Sequence, residues 1–156
     1  MINVGIIGDK GGRLARVISQ TLPHVSAKVI KRLDFPQKYD ILIVNEASGL
    51  QALEGAGDIA ARITLLNSDS RADGGDTRKI NPGQIITYGF NGKSCITASS
   101  VNDDSILVCI QRILFTLDGA PIMPHEFVST HNENIGDTYD RLGAYACGAI
   151  CGIDMN

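Results

Sequence analysis

The chain has 156 residues, 44% of them hydrophobic and 20% charged, and its 17 glycines with no tryptophan describe an ordinary globular chain with many tight turns, not a disordered one. That length suits one domain, spanning residues 1–156 and burying roughly two thirds of the surface its unfolded form would expose. The formal net charge of -3 comes with Lys and Arg scattered along the chain, which excludes the basic stripe of a nucleic-acid binder, and no apolar run reaches the ~18 residues of a membrane span.

In chain order, the first predicted element is an apolar strand over Ile2–Ile7. No basic segment precedes it, so a cytoplasmic location is the expectation. A Gly-rich turn leads to a helix from about Gly12 to Leu22, then to strands over Ala27–Ile30 and Tyr39–Asn45. The unbroken run Ile41-Leu42-Ile43-Val44 reads as a strand covered on both faces, as in a parallel sheet flanked by helices. A short helix is expected at Leu50–Gly55, a strand at Arg62–Leu66, and a polar loop over Asn67–Gly83. Strands at Gln84–Tyr88, Ser94–Ser99 and Ile106–Gln111 follow, with Asn91-Gly92 among the turn signals between them. Leu114–Leu117 and Glu126–Ser129 read as a hairpin around Asp118-Gly119, making this half mostly antiparallel. A small-residue helix closes the pattern over Thr138–Ile153, with Asp137 as N-cap and Gly152 near its end.

The turn Gly8-Asp9-Lys10-Gly11-Gly12-Arg13 places glycines between a strand and a helix N-terminus, where free N–H groups and the helix dipole favour an anion. A phosphate-gripping loop needs Lys after its last Gly and then Ser or Thr for magnesium, and this chain has Gly12 and Arg13 there. The dinucleotide spacing G-x-G-x-x-G is also missing, although Lys31 and Arg32 after the second strand would suit a 2′-phosphate and keep NADP as an alternative. The plainer alternative is that these glycines simply let strand turn into helix, with Asp9 badly placed for a phosphate. Cys95, Cys109, Cys147 and Cys151 read as reduced thiols. Cys147 and Cys151 share a helix face, which would suit a metal with His125 or His131 or, as the plainer reading, small core side chains. Asp69, Asp73 and Asp76 lack calcium-loop spacing and read as a solvated loop.

Several segments carry a resemblance through their order: Gly5-Ile6-Ile7-Gly8-Asp9-Lys10-Gly11-Gly12-Arg13, then Tyr39 to Val44 leading into Asn45-Glu46-Ala47-Ser48, then Leu65-Leu66-Asn67-Ser68-Asp69-Ser70, then Ile85-Ile86-Thr87-Tyr88-Gly89-Phe90, and the closing stretch from Asp140 to Asp154. Together they resemble the central ATP-binding domain of the Mur ligases, the amide-forming enzymes of peptidoglycan synthesis, and of their folylpolyglutamate synthase relatives. The resemblance implies an α/β, P-loop-like three-layer domain with a mostly parallel sheet and an added antiparallel β portion. It implies a phosphate or anion site at Gly8, Lys10, Gly11, Gly12 and Arg13, ATP and magnesium as cofactors, and Glu46 as a metal ligand.

Departures from the family pattern bear on chemistry. Gly12 and Arg13 stand at the positions of the family's Lys and Thr, and Asp140 at that of its adenine-contacting Asn. His131-Asn132-Glu133-Asn134 misses the family's H-N-x-x-N by one place. The interval from Glu46 to Asn67 is too short for the family's D-H metal segment and its magnesium-assisting Lys. The family's UDP-sugar and amino-acid domains have no counterpart in these residues, so ligase activity would call on a partner chain. The expectation is a non-catalytic Mur-ligase-like domain binding a protein partner or a small anionic ligand. The alternatives are an ATP-dependent ligase-like enzyme of cell-wall metabolism, with Lys10 or Arg13 on phosphate and Glu46 organising magnesium, and an NADP-binding protein.

Overall fold

Apolar runs become strands here wherever both sheet faces are covered. A computed structural model describes residues 1–70, 80–130 and 137–153. In chain order its elements are β1 (Ile2–Ile7), α1 (Arg13–Thr21), β2 (Val25–Val29), β3 (Gln37–Val44), α2 (Ser48–Gln51), β4 (Ile59–Asn67), β5 (Ile80–Asn81), β6 (Gln84–Tyr88), β7 (Ile96–Val101), β8 (Ser105–Ile110), β9 (Leu114–Phe115), β10 (Pro121–Ile122), β11 (His125–Thr130) and α3 (Thr138–Ile150).

The central sheet runs β11-β8-β7-β6-β4-β3-β1-β2, with the short β5 added on β4. From β2 through β7 its neighbours are parallel, and β8 and β11 extend it antiparallel. One face buries Val4, Ile6, Ile41, Ile43, Ile63 and Leu65 under Leu14 and Ile18 of α1 and Leu142, Ala146 and Ile150 of α3. On the other, Ile7, Leu42 and Val44 pack with Ile30, Leu33 and Leu53 from the connections beside the four-residue α2. The result is a three-layer α/β domain with a mostly parallel sheet and an antiparallel β portion, thick on the α1/α3 side and thin on the other. No helix among the described residues is long and apolar enough to cross a membrane.

Strand alternation breaks in the β3–β4 ladder. The β3–β4 ladder pairs Tyr39 with Ala61 and next Ile41 with Ile63, passing over Asp40 and Arg62. Tyr39 and Ala61 pack on the thin side while Ile41 and Ile63 pack under the helices. The side chains of Asp40 and Arg62 pair at 3.7 Å across the irregularity.

Four expectations need correction. The helix near Leu50–Gly55 is the earlier single turn Ser48–Gln51. Leu114–Phe115 does not pair with the 126–129 strand. It folds back on Pro121–Ile122, which the turn brings opposite, leaving β11 free to pair along β8 from His125↔Ile110 to Thr130↔Ser105. The first pairing of the second half, Tyr88 with Ile96, is parallel rather than antiparallel. The strand Ile80–Asn81 lies inside the stretch read as loop. The rest of that stretch from 71 to 79, with Asp73 and Asp76, and the segment holding His131 lie outside the described residues.

Candidate functional site

The β1–α1 turn is built on left-handed glycines. Gly8 has φ 78°, and a Cβ there would come within 2.6 Å of Glu46 atoms, so glycine is what lets the turn lie against the end of β3. Gly11 and Gly12, at φ 67° and 68°, carry the chain through one tight turn into α1. At the helix start the Asp9 carboxylate accepts the N–H of Leu14 at 2.9 Å and of Ala15 at 2.8 Å. Two of the donors that a phosphate would use at this N-terminus thus already hold an anion from the chain itself.

Lys10 reaches away from the helix, with its Nζ 3.8 Å from Glu46 Oε1. Both line a groove of about 310 Å³, together with Gly8, Lys31 and Gly49. The groove lies at the carboxyl ends of β1, β2 and β3, beside the point where the chain leaves β1 for β2 on one side and crosses back to β3 on the other. Open α/β sheets bind ligands at such ends. Arg32, paired in sequence with Lys31, is held elsewhere, by Asp34 at 3.0 Å and Glu54 at 2.5 Å. Arg13 is exposed on the first turn of α1. No group of three or more His, Cys, Asp or Glu side chains is gathered for a metal among the described residues, so Glu46 would work with Lys10 as its neighbour.

Next to the groove lies a buried polar network that sequence reading missed. Asn45, at the end of β3, donates through Nδ2 to Asp140 Oδ1 at 2.9 Å and accepts from Tyr88 Oη at 2.6 Å. Asn67 donates to the Asn45 carbonyl at 2.9 Å. Asp140 also accepts the Asp137 N–H, and Asp137 accepts the Asp140 N–H in return, a capping box that starts α3. Burial pushes the Asp140 carboxyl upward, and the negative charges of Asp137 and Asp9 push the same way. Asp69 organises the turn after β6: its carboxylate accepts the Phe90 N–H at 2.7 Å and the Tyr139 hydroxyl at 3.1 Å. The signals in the sequence for this network are the N-cap at Asp137 and the pair of polar residues, Asn45 and Asn67, that end two apolar strands.

The stretches after β1, β3, β4 and β6, far apart in sequence, therefore meet α3 at one end of the sheet. The thiols do not join them: Cys147 is buried in the core, Cys151 is half-buried, and the Nδ1 of His125 faces the Met123 carbonyl at 2.7 Å. No protein-family profile and no curated protein matches the chain.

Proposed function

We propose that this chain is a Mur-ligase-like domain that no longer carries out phosphoryl chemistry and binds a small anionic ligand, or an anionic group on a protein partner, in the groove between Lys10 and Lys31. The observation that carries this reading is the Asp9 carboxylate on the N–H groups of Leu14 and Ala15, because it competes for the donors a nucleotide phosphate needs. The convergence of the quoted stretches at the carboxyl ends of the strands supports the family reading. The free thiols fit a reducing, cytoplasmic setting.

Titration calorimetry tests it. Mg-ATP should bind no more tightly than about millimolar, the regime of roughly 4 kcal/mol. Asp9→Ala should bind inorganic phosphate and ATP about tenfold or more tightly than the native chain, since one blocking anion is gone. Micromolar Mg-ATP binding by the native chain, or no gain in the variant, would overturn the reading. A ligase-like enzyme draws support from the Lys10–Glu46 pair, which sets a cation donor and a carboxylate together. That second reading stands if ATP turnover with an acceptor appears and Glu46→Gln abolishes it. NADP binding would draw on Lys31 alone, because Arg32 is already engaged.

A further inference from the structure

The chain holds a single Asn-Gly step, Asn91-Gly92, in the connection from β6 to β7. Asn91, Gly92 and Lys93 are exposed there, and Ser94 after them is buried. The turn closes through the Ser94 N–H, which donates to the Asn91 carbonyl at 2.9 Å. Its outer side is open, since a Cβ added at Gly92 would meet nothing within 4 Å. Among the described residues no hydrogen bond holds the Gly92 N–H, although the Gly92 carbonyl accepts from Gln111 Nε2 at 3.2 Å.

These features assemble the parts of one reaction. A side-chain carboxamide is a poor electrophile, and the backbone nitrogen that follows it attacks most readily where no Cβ crowds the approach and the chain turns freely, as at glycine. Asn91 Oδ1 accepts the Lys93 N–H at 3.0 Å. That donor draws charge from the carboxamide carbon and faces the oxygen on which negative charge gathers during attack. Exposure of the step gives solvent base access to the Gly92 N–H.

We propose that Asn91-Gly92 is a site of spontaneous deamidation. Gly92 N gives its proton to solvent base and bonds to Asn91 Cγ; the tetrahedral intermediate takes a proton from water and expels ammonia, leaving a succinimide. Water then adds to either ring carbonyl, and opening the ring gives aspartate or isoaspartate at position 91. The new carboxylate arises on a residue whose own N–H donates to Asp69 Oδ1 at 3.3 Å, and isoaspartate also lengthens the main chain inside the turn. Asp69 holds the Phe90 N–H and the Tyr139 hydroxyl as well, so the isoaspartyl turn opens around Phe90 and Ser94. None of this rests on the reading given to the Lys10–Lys31 groove.

The test incubates the full chain at mildly alkaline pH and follows position 91 by mass spectrometry of peptides cut at low pH. Aspartate and isoaspartate should accumulate there, faster as pH rises. Asn91→Gln should lose the product and Gly92→Ala should slow it many-fold; both positions are exposed, so the variants remain folded. The chain unfolded in urea gives the rate without the turn, and the folded chain should convert within about tenfold of it. The isoaspartyl form, separated by ion exchange, should exchange its Phe90 and Ser94 amides faster than the native chain. Product in urea but none in the folded chain, modification of other asparagines with position 91 intact, or an unchanged rate in Gly92→Ala would each overturn the proposal. Unchanged exchange at Phe90 and Ser94 would overturn the opening of the turn.

Discussion

Asp140 is 4% exposed, and its carboxyl shares its surroundings with two other carboxylates, Asp137 on its own helix and Asp9 on the β1–α1 turn, as well as with Asn45 and the Tyr88 hydroxyl. Its pKa in the folded chain lies above the ordinary aspartate value of about 3.9. A raised folded pKa means that the folded state binds more protons than the unfolded one between the two values. The contribution of Asp140 is therefore most favourable below about pH 4 and is lost as pH rises through the folded value. Urea unfolding of the native chain and of Asp140→Asn should show this as a difference: over that window stability falls more steeply with pH in the native chain. Parallel profiles would remove Asp140 as the source. Sequence alone made Asp9 suspect, as a carboxylate where a phosphate would go, and the structure gives it the helix-capping bonds that explain why. The Asn45–Asp140 contact was out of reach because its partners lie 95 positions apart and neither takes part in a hydrophobic period.

Elements with a strong period were legible and those below it were not. β1 stands out as a mainly apolar strand, the second half of β3 as an unbroken apolar run, and α3 as a small-residue helix with its N-cap at Asp137, because burial on both faces or along one stripe leaves a repeating pattern. β5, β9 and β10 have two residues each, too few for a period, and the pairing of β11 with β8 depends on contacts across the whole second half. The seat of α3 rests on a position whose importance periodicity could not rank. Gly143 is buried, and a Cβ there would stand 3.3 Å from the Tyr88 hydroxyl and 3.4 Å from Leu14 Cδ2, so the helix sits close on both β6 and α1. Gly143→Val adds two further methyl groups to that contact and presses on the hydroxyl that bonds Asn45. It should cost about 1–3 kcal/mol by overpacking, seen as a lower urea midpoint at unchanged slope. A midpoint equal to that of the native chain would mean that α3 can lift from the sheet without loss.

Across the whole molecule, one layer ties the parallel and antiparallel strands together. The core under α1 and α3 runs without interruption from Val4 on β1 through Ile43 on β3 to Ile106, Val108 and Ile110 on β8, and Leu142, Ala146 and Ile150 of α3 belong to it. The Lys10–Lys31 groove lies at the carboxyl ends of β1–β3, strands that this core holds, so the packed sheet fixes its walls. Such a core should open as a unit, since exposing its β8 side chains also uncovers α3. Native-state hydrogen exchange reads this directly. The amides of Ile43 and Val108, in the middle of strands paired on both sides, should exchange with the same opening free energy and the same dependence on denaturant. The Phe115 amide, in a hairpin of two-residue strands whose outer ring is 45% exposed, should exchange faster through a local opening. An opening free energy for Val108 clearly below that for Ile43 would make the antiparallel strands a separate unit, and only the β2-to-β6 portion would then be the frame on which the groove depends.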